Sequence, residues 1–219
     1  DLKEVPLYRR TSDVLFYAFG TVSWTRTGTG FEHSQNTYSS YAYYFLTEST
    51  DEVPMEFPVQ ESKEGGTVVT KFPDYALYEK DLFSWMHRGR LFFDNYDYKN
   101  GRTQKYTFSL PDAIPEEKAS VAVSFGTNDT KSNTVAVSVG NAVVGTFSIS
   151  ASSGYTKFQT QKASFDCTGR LGEQATVSLS HSGSASGYLD YIRINYVRSL
   201  RLNGAFTCFR SSLSGLRQL

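Results

Sequence analysis

The sequence predicts a mainly β protein, an antiparallel β-sandwich or jelly roll with one short amphipathic helix packed on it. Three observations carry that expectation. Apolar and polar residues alternate in short runs from Tyr106 to Leu179, the runs are separated by Gly-, Asn- and Ser-rich turns, and Gly187 to Leu202 is a long, Pro-free strand signal dense in β-branched and aromatic residues.

Taken in order, the first apolar blocks are Val14-Leu15-Phe16-Tyr17-Ala18-Phe19-Gly20 and Tyr41-Ala42-Tyr43-Tyr44-Phe45-Leu46. Both are apolar on either parity, the pattern of a strand covered on two faces. Between them, Thr25 to Ser40 is rich in Gly, Thr and Ser and reads as a long connection carrying Phe31 and His33, with Trp24 beside it. Glu48 to Glu64 holds two prolines among acidic residues and reads as a solvated loop, followed by a short strand over Thr67 to Phe72. Tyr75, Tyr78, Leu82, Trp85 and Met86 then recur at three and four residues, with Asp74 placed to cap a start and Gly89 just past the end. That spacing predicts the helix, near residues 75–87, its aromatic stripe packed on a sheet.

Asn100-Gly101 between strand-like flanks marks a tight turn. Beyond it the alternating runs are Tyr106 to Leu110, Val121 to Phe125, Val135 to Val139, Val143 to Ile149, a weaker Phe158 to Phe165, and Ala175 to Leu179. Gly187 to Leu202 closes the set and, at its length, needs partners on both edges; Asp190 and Arg198 interrupt its apolar even face. The expected organisation is a β-rich part over residues 1–100, a sandwich over 101–203 that either stands alone or continues the first part, and the start of a truncated following segment over 204–219.

Composition narrows the function. The 219 residues hold 22 basic and 22 acidic side chains, so no electrostatic argument points to nucleic acid or an anionic membrane. No apolar run approaches a bilayer span, and the opening residues lack the build of a signal peptide, so the chain reads as cut from something longer. The 15 Tyr and 16 Phe suit strands first and a sugar-contacting surface second. On that second reading the candidate ligand-contact residues are Trp24, Phe31, Tyr38 and Tyr41, in or beside the long connection.

Catalytic and metal chemistry find little support. Cys167 and Cys208 make no disulfide framework, and whether they pair stays open. Neither sits in a nucleophile signature, and His33, His87 and His181 are scattered and fit no metal-ligand spacing. No catalytic, cofactor or metal residue is therefore assigned. The run Asp94-Asn95-Tyr96-Asp97-Tyr98-Lys99-Asn100-Gly101 misses the EF-hand spacing and suits a turn, with a structural calcium between loops the remaining alternative.

Several blocks, in order along nearly the whole chain, resemble one family. They are Val14-Leu15-Phe16-Tyr17-Ala18 with Trp24; Phe31-Glu32-His33 with Asn36, Tyr38 and Ser39; Tyr43-Tyr44-Phe45-Leu46-Thr47; Tyr78-Glu79-Lys80-Asp81 with Gly89-Arg90; Leu189-Asp190-Tyr191-Ile192; and Arg201-Leu202-Asn203-Gly204 leading to Phe209-Arg210-Ser211. Together they resemble the region preceding the peptidase domain in the sortases of the bacterial type IX secretion system, which are gingipain-like cysteine peptidases. The resemblance implies a parent enzyme at the surface, outer membrane or periplasm of a Gram-negative bacterium that removes the C-terminal sorting domain of secreted cargo and joins the new terminus to lipopolysaccharide. It places the nucleophilic Cys and its His beyond residue 219, so no catalytic residue carries over. The partners it implies are the remainder of the parent peptidase, secretion-system proteins, cargo sorting domains or lipopolysaccharide.

Overall fold

Period-two alternation makes one face of each strand apolar, and two such sheets bury those faces against each other. The computed structural model describes residues 4–28, 30–51, 53–56, 67–87, 91–204, 207–210 and 217–218. In chain order the strands are β1 (Leu7–Arg10), β2 (Asp13–Phe16), β3 (Val22–Thr27), β4 (Gly30–Gln35), β5 (Thr67–Val68), β6 (Lys71–Glu79), β7 (Thr103–Ser109), β8 (Ser120–Thr127), β9 (Asn133–Val139), β10 (Ala142–Ile149), β11 (Gln159–Asp166), β12 (Gln174–His181), β13 (Gly187–Ser199) and β14 (Arg217–Gln218).

Two four-stranded antiparallel sheets, in the orders β10-β9-β12-β7 and β11-β8-β13-β6, form the sandwich. The chain crosses repeatedly from one sheet to the other after β7, and one core unites them. Val135, Val137, Val139, Val177 and Leu179 come from the first sheet and meet Val121, Val123, Phe125, Ile192 and Ile194 from the second. Burying each such side chain contributes ~1.5–3 kcal/mol relative to leaving it in water. Every alternating run from Tyr106 onward falls mostly within one of these strands, and Asn100-Gly101 turns with both φ positive.

The long strand β13 is central, held by β8 on one edge and β6 on the other. Its register against β8 shifts between Leu189 and Tyr191, a bulge at Asp190. Leu189 ahead of the bulge and Ile192, Ile194 and Tyr196 after it all reach the core, because the extra residue exchanges the two faces.

Several expectations are corrected. The helix near 75–87 is absent: Tyr75 to Tyr78 lie inside β6, which pairs with β13 over nine residues, and only a short 3-10 turn, Trp85–His87, follows. The segment Lys71–Glu79 carries both periods, since Phe72, Asp74, Ala76 and Tyr78 also share a strand face, and pairing with β13 outweighs local preference. As an edge strand β6 tolerates Pro73, and Met86 at φ 54° stops helical propagation. Asp74 is not a cap but sits buried among arginines, while Gly89 lies outside the described residues. The aromatics of this region still pack on a sheet: Trp85 stacks on Phe158 with centroids 5.2 Å apart, over the outer face of β8.

Thr25 to Ser40, expected as a long connection, contains the β3–β4 hairpin. Its turn residues resemble those of a loop, and its strand content is carried by the pairing of Trp24 with His33 and Arg26 with Phe31. The two blocks expected to be covered on both faces are exposed: Val14 to Phe16 lie in β2, paired with β1, and residues 41–46 run without strand pairing. Most of the expected loop over Glu48 to Glu64 lies outside the described residues, as does part of the expected strand after Asn203.

The outer face of β8 offers a test of this packing. A Cβ on Gly126 would stand 2.3 Å from the Phe158 ring and 3.1 Å from Phe93. Gly126→Ala is expected to cost about 1–3 kcal/mol through overpacking, read as a lowered urea midpoint with the slope unchanged.

Candidate functional site

The β3–β4 hairpin lies across the outer side of β6 and β13, and side chains fix it there. Asn195 on β13 accepts a hydrogen bond from the Phe31 backbone N–H at 2.9 Å and donates one to the Phe31 carbonyl at 3.2 Å, imitating a strand ladder. Gly30 permits this approach, since a Cβ there would come 3.1 Å from the Asn195 side chain. His33 reaches Glu79 through Nε2 at 3.3 Å and faces Arg193 through Nδ1 at 3.1 Å, with its ring edge-on to Tyr191. His33 thus stands between an acidic and a basic side chain.

Tyr75 is the centre of a layered stack. Trp24 lies parallel to it with centroids 3.4 Å apart, Phe31 meets it edge-on, and the Arg210 guanidinium sits 4.3 Å from its ring. Arg210 also donates to the Tyr75 hydroxyl at 2.7 Å and to Asp74 at 2.6 Å. Burial pushes the Tyr75 hydroxyl above its usual range, and the nearby Arg210 charge opposes that rise.

Asp74 is also bonded by Arg198 at 3.3 Å, and Arg198 reaches Asp112 at 3.3 Å, which in turn accepts from Asn203 at 3.0 Å. Phe209 packs edge-on against Phe72. A buried and a half-buried carboxylate and two arginines thus tie β6, the turn at Asp112, the end of β13 and the segment after Asn203 into one network.

In front of the stack opens a cleft of about 1000 Å³, lined by residues 17–24 and by Ser40, Tyr41, Ala42, Tyr44, Tyr75 and Arg210. Its walls are aromatic and its polar groups are hydroxyls plus one guanidinium. The Tyr44 hydroxyl donates to the Phe19 carbonyl at 2.6 Å, joining the two sides. Tyr17 is raised above the usual tyrosine range, first by the Cys208 thiol beside it and then by burial.

Of the residues singled out from sequence, Trp24 and Tyr41 both line this cleft. Phe31 is buried behind it against Tyr75, and Tyr38 is exposed and outside the lining. Tyr17, Phe19, Tyr44, Tyr75 and Arg210 went unassigned. The first three lie in runs whose only signal was apolarity on both parities, Tyr75 was assigned to a helix, and nothing local to Arg210 links it to residue 75.

Nucleophile chemistry has no setting at Cys167. The thiol is fully buried and burial pushes it up to about 12, whereas the reactive form is the thiolate. Cys167 and Cys208 are both free. His181 is fully buried, bonded through Nε2 to Asn133 at 3.0 Å, and desolvation lowers its pKa. In the oxygen-rich run, Asp94 accepts from the Tyr78 hydroxyl at 2.6 Å, while Asp97 accepts from Ser186, Gly187 and Lys99. Those carboxylates are committed to protein donors, and among the described residues no group of three His, Cys, Asp or Glu is placed to hold a metal ion.

No family model matches this sequence, and no curated protein matches it. Among solved structures, the dimeric latent PorU from Porphyromonas gingivalis superposes with a TM-score of 0.81 at 22% identity, over 99% of this chain and 21% of that one. This chain shares its fold with part of a PorU. It spans about a fifth of that protein's length. Carbohydrate-binding modules align far less well. The C-terminal CBM6 of LamC from Zobellia galactanivorans gives a TM-score of 0.33 at 15% identity, over 44% of this chain and 73% of that one. The CBM36-1 domain of a multidomain xylanase from the hindgut metagenome of Trinervitermes trinervoides gives 0.38 at 16% identity, over 55% and 96%. No helix among the described residues is long and apolar enough to cross a membrane.

Proposed function

We propose that this chain is a noncatalytic β-sandwich part of a larger, type IX sortase-like cysteine peptidase, and that it serves as scaffold or docking module for the rest of that polypeptide. The observation that carries this reading is the full-length likeness to about one fifth of a PorU chain. The burial of Cys167 supports it, because a thiol in that state is a packing group. On this reading the parent works at the surface, outer membrane or periplasm of a Gram-negative bacterium, its peptidase unit lies elsewhere in the polypeptide, and secretion-system proteins, cargo sorting domains or lipopolysaccharide are its further partners.

The test compares the 219-residue chain with the longer polypeptide on a substrate bearing a C-terminal sorting domain. The short chain is expected to show no turnover, and the longer one is expected to cleave the substrate equally well with Cys167→Ser or Cys208→Ser. Loss of cleavage in either variant, with folding intact by circular dichroism, would overturn the reading.

A second reading, a carbohydrate-binding module, draws on the cleft between Trp24, Tyr41 and Tyr44, since flat aromatic faces beside hydroxyls suit a pyranose ring. Titration of the chain with oligosaccharides while following tryptophan fluorescence separates the two. Saturable quenching abolished by Tyr41→Ala supports the glycan reading, and no change at millimolar sugar removes it.

A further inference from the structure

The β1–β2 ribbon and the segment 41–46 pose a physical problem. All four residues of β2 are exposed, and Val14, Leu15, Phe16 and then Tyr17 and Phe19 face water on both sides of the ribbon. Tyr41, Tyr43, Phe45 and Leu46 are each more than 70% exposed. The two segments form one surface: the Phe16 and Tyr44 rings lie 5.6 Å apart, and Tyr44 bonds the Phe19 carbonyl. A two-stranded ribbon is marginal in water on its own. A contiguous apolar patch of this kind marks an interaction site, whereas apolar side chains scattered singly, as Val143 or Tyr155 are on the sandwich, need no such account.

The edge itself points the same way. Among the described residues β2 pairs with β1 alone, so its other edge is free. Edges meant for solvent carry lysine, proline or short runs. β2 is short and opens on Asp13, but residues 14–20 and 41–46 contain no charge and no proline. Being apolar on both parities, they have the composition of a strand covered on two faces.

We propose that this surface is covered by a further part of the same, longer polypeptide, which adds an extended, apolar strand to the free edge of β2 and packs over Tyr41 to Leu46. The inference rests on the reading of the chain as one part of a larger protein. The length argument favours this occupant, because about four-fifths of the similar PorU chain lies outside the part that this fold matches. The chemistry favours a permanent cover as well. An uncharged patch rich in aromatics resembles the core of an obligate interface, and a partner that came and went would leave it bare between encounters. Strand addition satisfies the row of free backbone N–H and C=O groups on β2 while burying the side chains on both faces.

Backbone amide exchange followed by mass spectrometry tests this on the 219-residue chain and on the longer polypeptide, each over a range of protein concentrations. Amides of residues 14–19 and 41–46 are expected to exchange at least about tenfold more slowly in the longer polypeptide, independently of concentration. Phe16→Glu in that polypeptide is expected to remove the protection while amides of Val121, Val123, Ile192 and Ile194 stay protected. Equal, fast exchange in both proteins would overturn the proposal. So would protection in the 219-residue chain, whether it is present at every concentration, meaning the ribbon covers itself, or grows with concentration alongside a doubled mass, meaning the occupant is a second copy. A longer polypeptide that shows the protection but no cysteine-peptidase activity would sink the peptidase reading and leave the docking in place.

Discussion

Arg198→Ala is expected to destabilise the folded chain by about 3 kcal/mol, the lower end of the cost of breaking a buried ion pair, because Asp74 keeps a second arginine and Asp112 is only partly buried. The side chain is 8% exposed and stands between Asp74 and Asp112, each at 3.3 Å. Asp74 keeps Arg210 as a second partner, but Asp112 keeps only the neutral Asn203 amide among the contacts described above. Much of the loss therefore falls on Asp112, which also holds a positive φ of 56° at its turn. Arg210→Ala should cost clearly less, because its side chain is more exposed and Asp74 retains Arg198. Urea unfolding of the two variants measures the difference, and a loss below about 1 kcal/mol for Arg198→Ala would mean that water already solvates the network.

That network also explains which parts of the molecule could be read in advance. The sandwich was legible because its strands, from β7 onward, alternate between a core and an outer face apart from the bulges in β10 and β13, and period two has no other physical source. The bulge at Asp190 was not, because one extra residue in β13 reverses the faces only relative to its partner β8, and the partner is not in the local sequence. The segment Tyr75 to Met86 misled for a related reason: its spacing satisfies a helix and a strand, and the choice is made by β13, more than a hundred residues away. Val14 to Phe16 were read correctly as strand, while Tyr17 to Phe19 and Tyr41 to Leu46 are apolar but unpaired, and both blocks were read wrongly as covered within this chain. Their composition reports the need for cover and says nothing of what supplies it.

The candidate site shows the same division. Trp24 and Tyr41 were visible as aromatics near a polar connection. Tyr75 and Arg210 join them only because β6 pairs with β13 and the chain after Asn203 folds back over Asp74. Sequence shows the side chains that suit a contact surface, while the pairing of distant strands decides which of them meet.

Asp190→Asn is expected to stabilise the chain at pH 7 by up to about 3 kcal/mol and to flatten its stability profile between about pH 4 and 6. Burial raises the Asp190 carboxyl to about 6; Glu79 and Asp81 push it the same way, and the Ser124 hydrogen bond and His33 oppose them. In that window the folded chain holds a proton that the unfolded chain has released, so stability falls as pH rises through it and levels off above. About two pK units of difference correspond to about 3 kcal/mol. Asparagine keeps the shape at the bulge and can still bond Ser124, but it carries no charge to desolvate. Unfolding free energies at pH 4, 6 and 8 decide the matter: an Asn variant no more stable than the parent at pH 8, or a parent profile without the fall, would show that the carboxylate is solvated where it stands. The half-buried Asp190 carboxylate stands beside Glu79 and Asp81, close to where the hairpin's His33 meets Glu79.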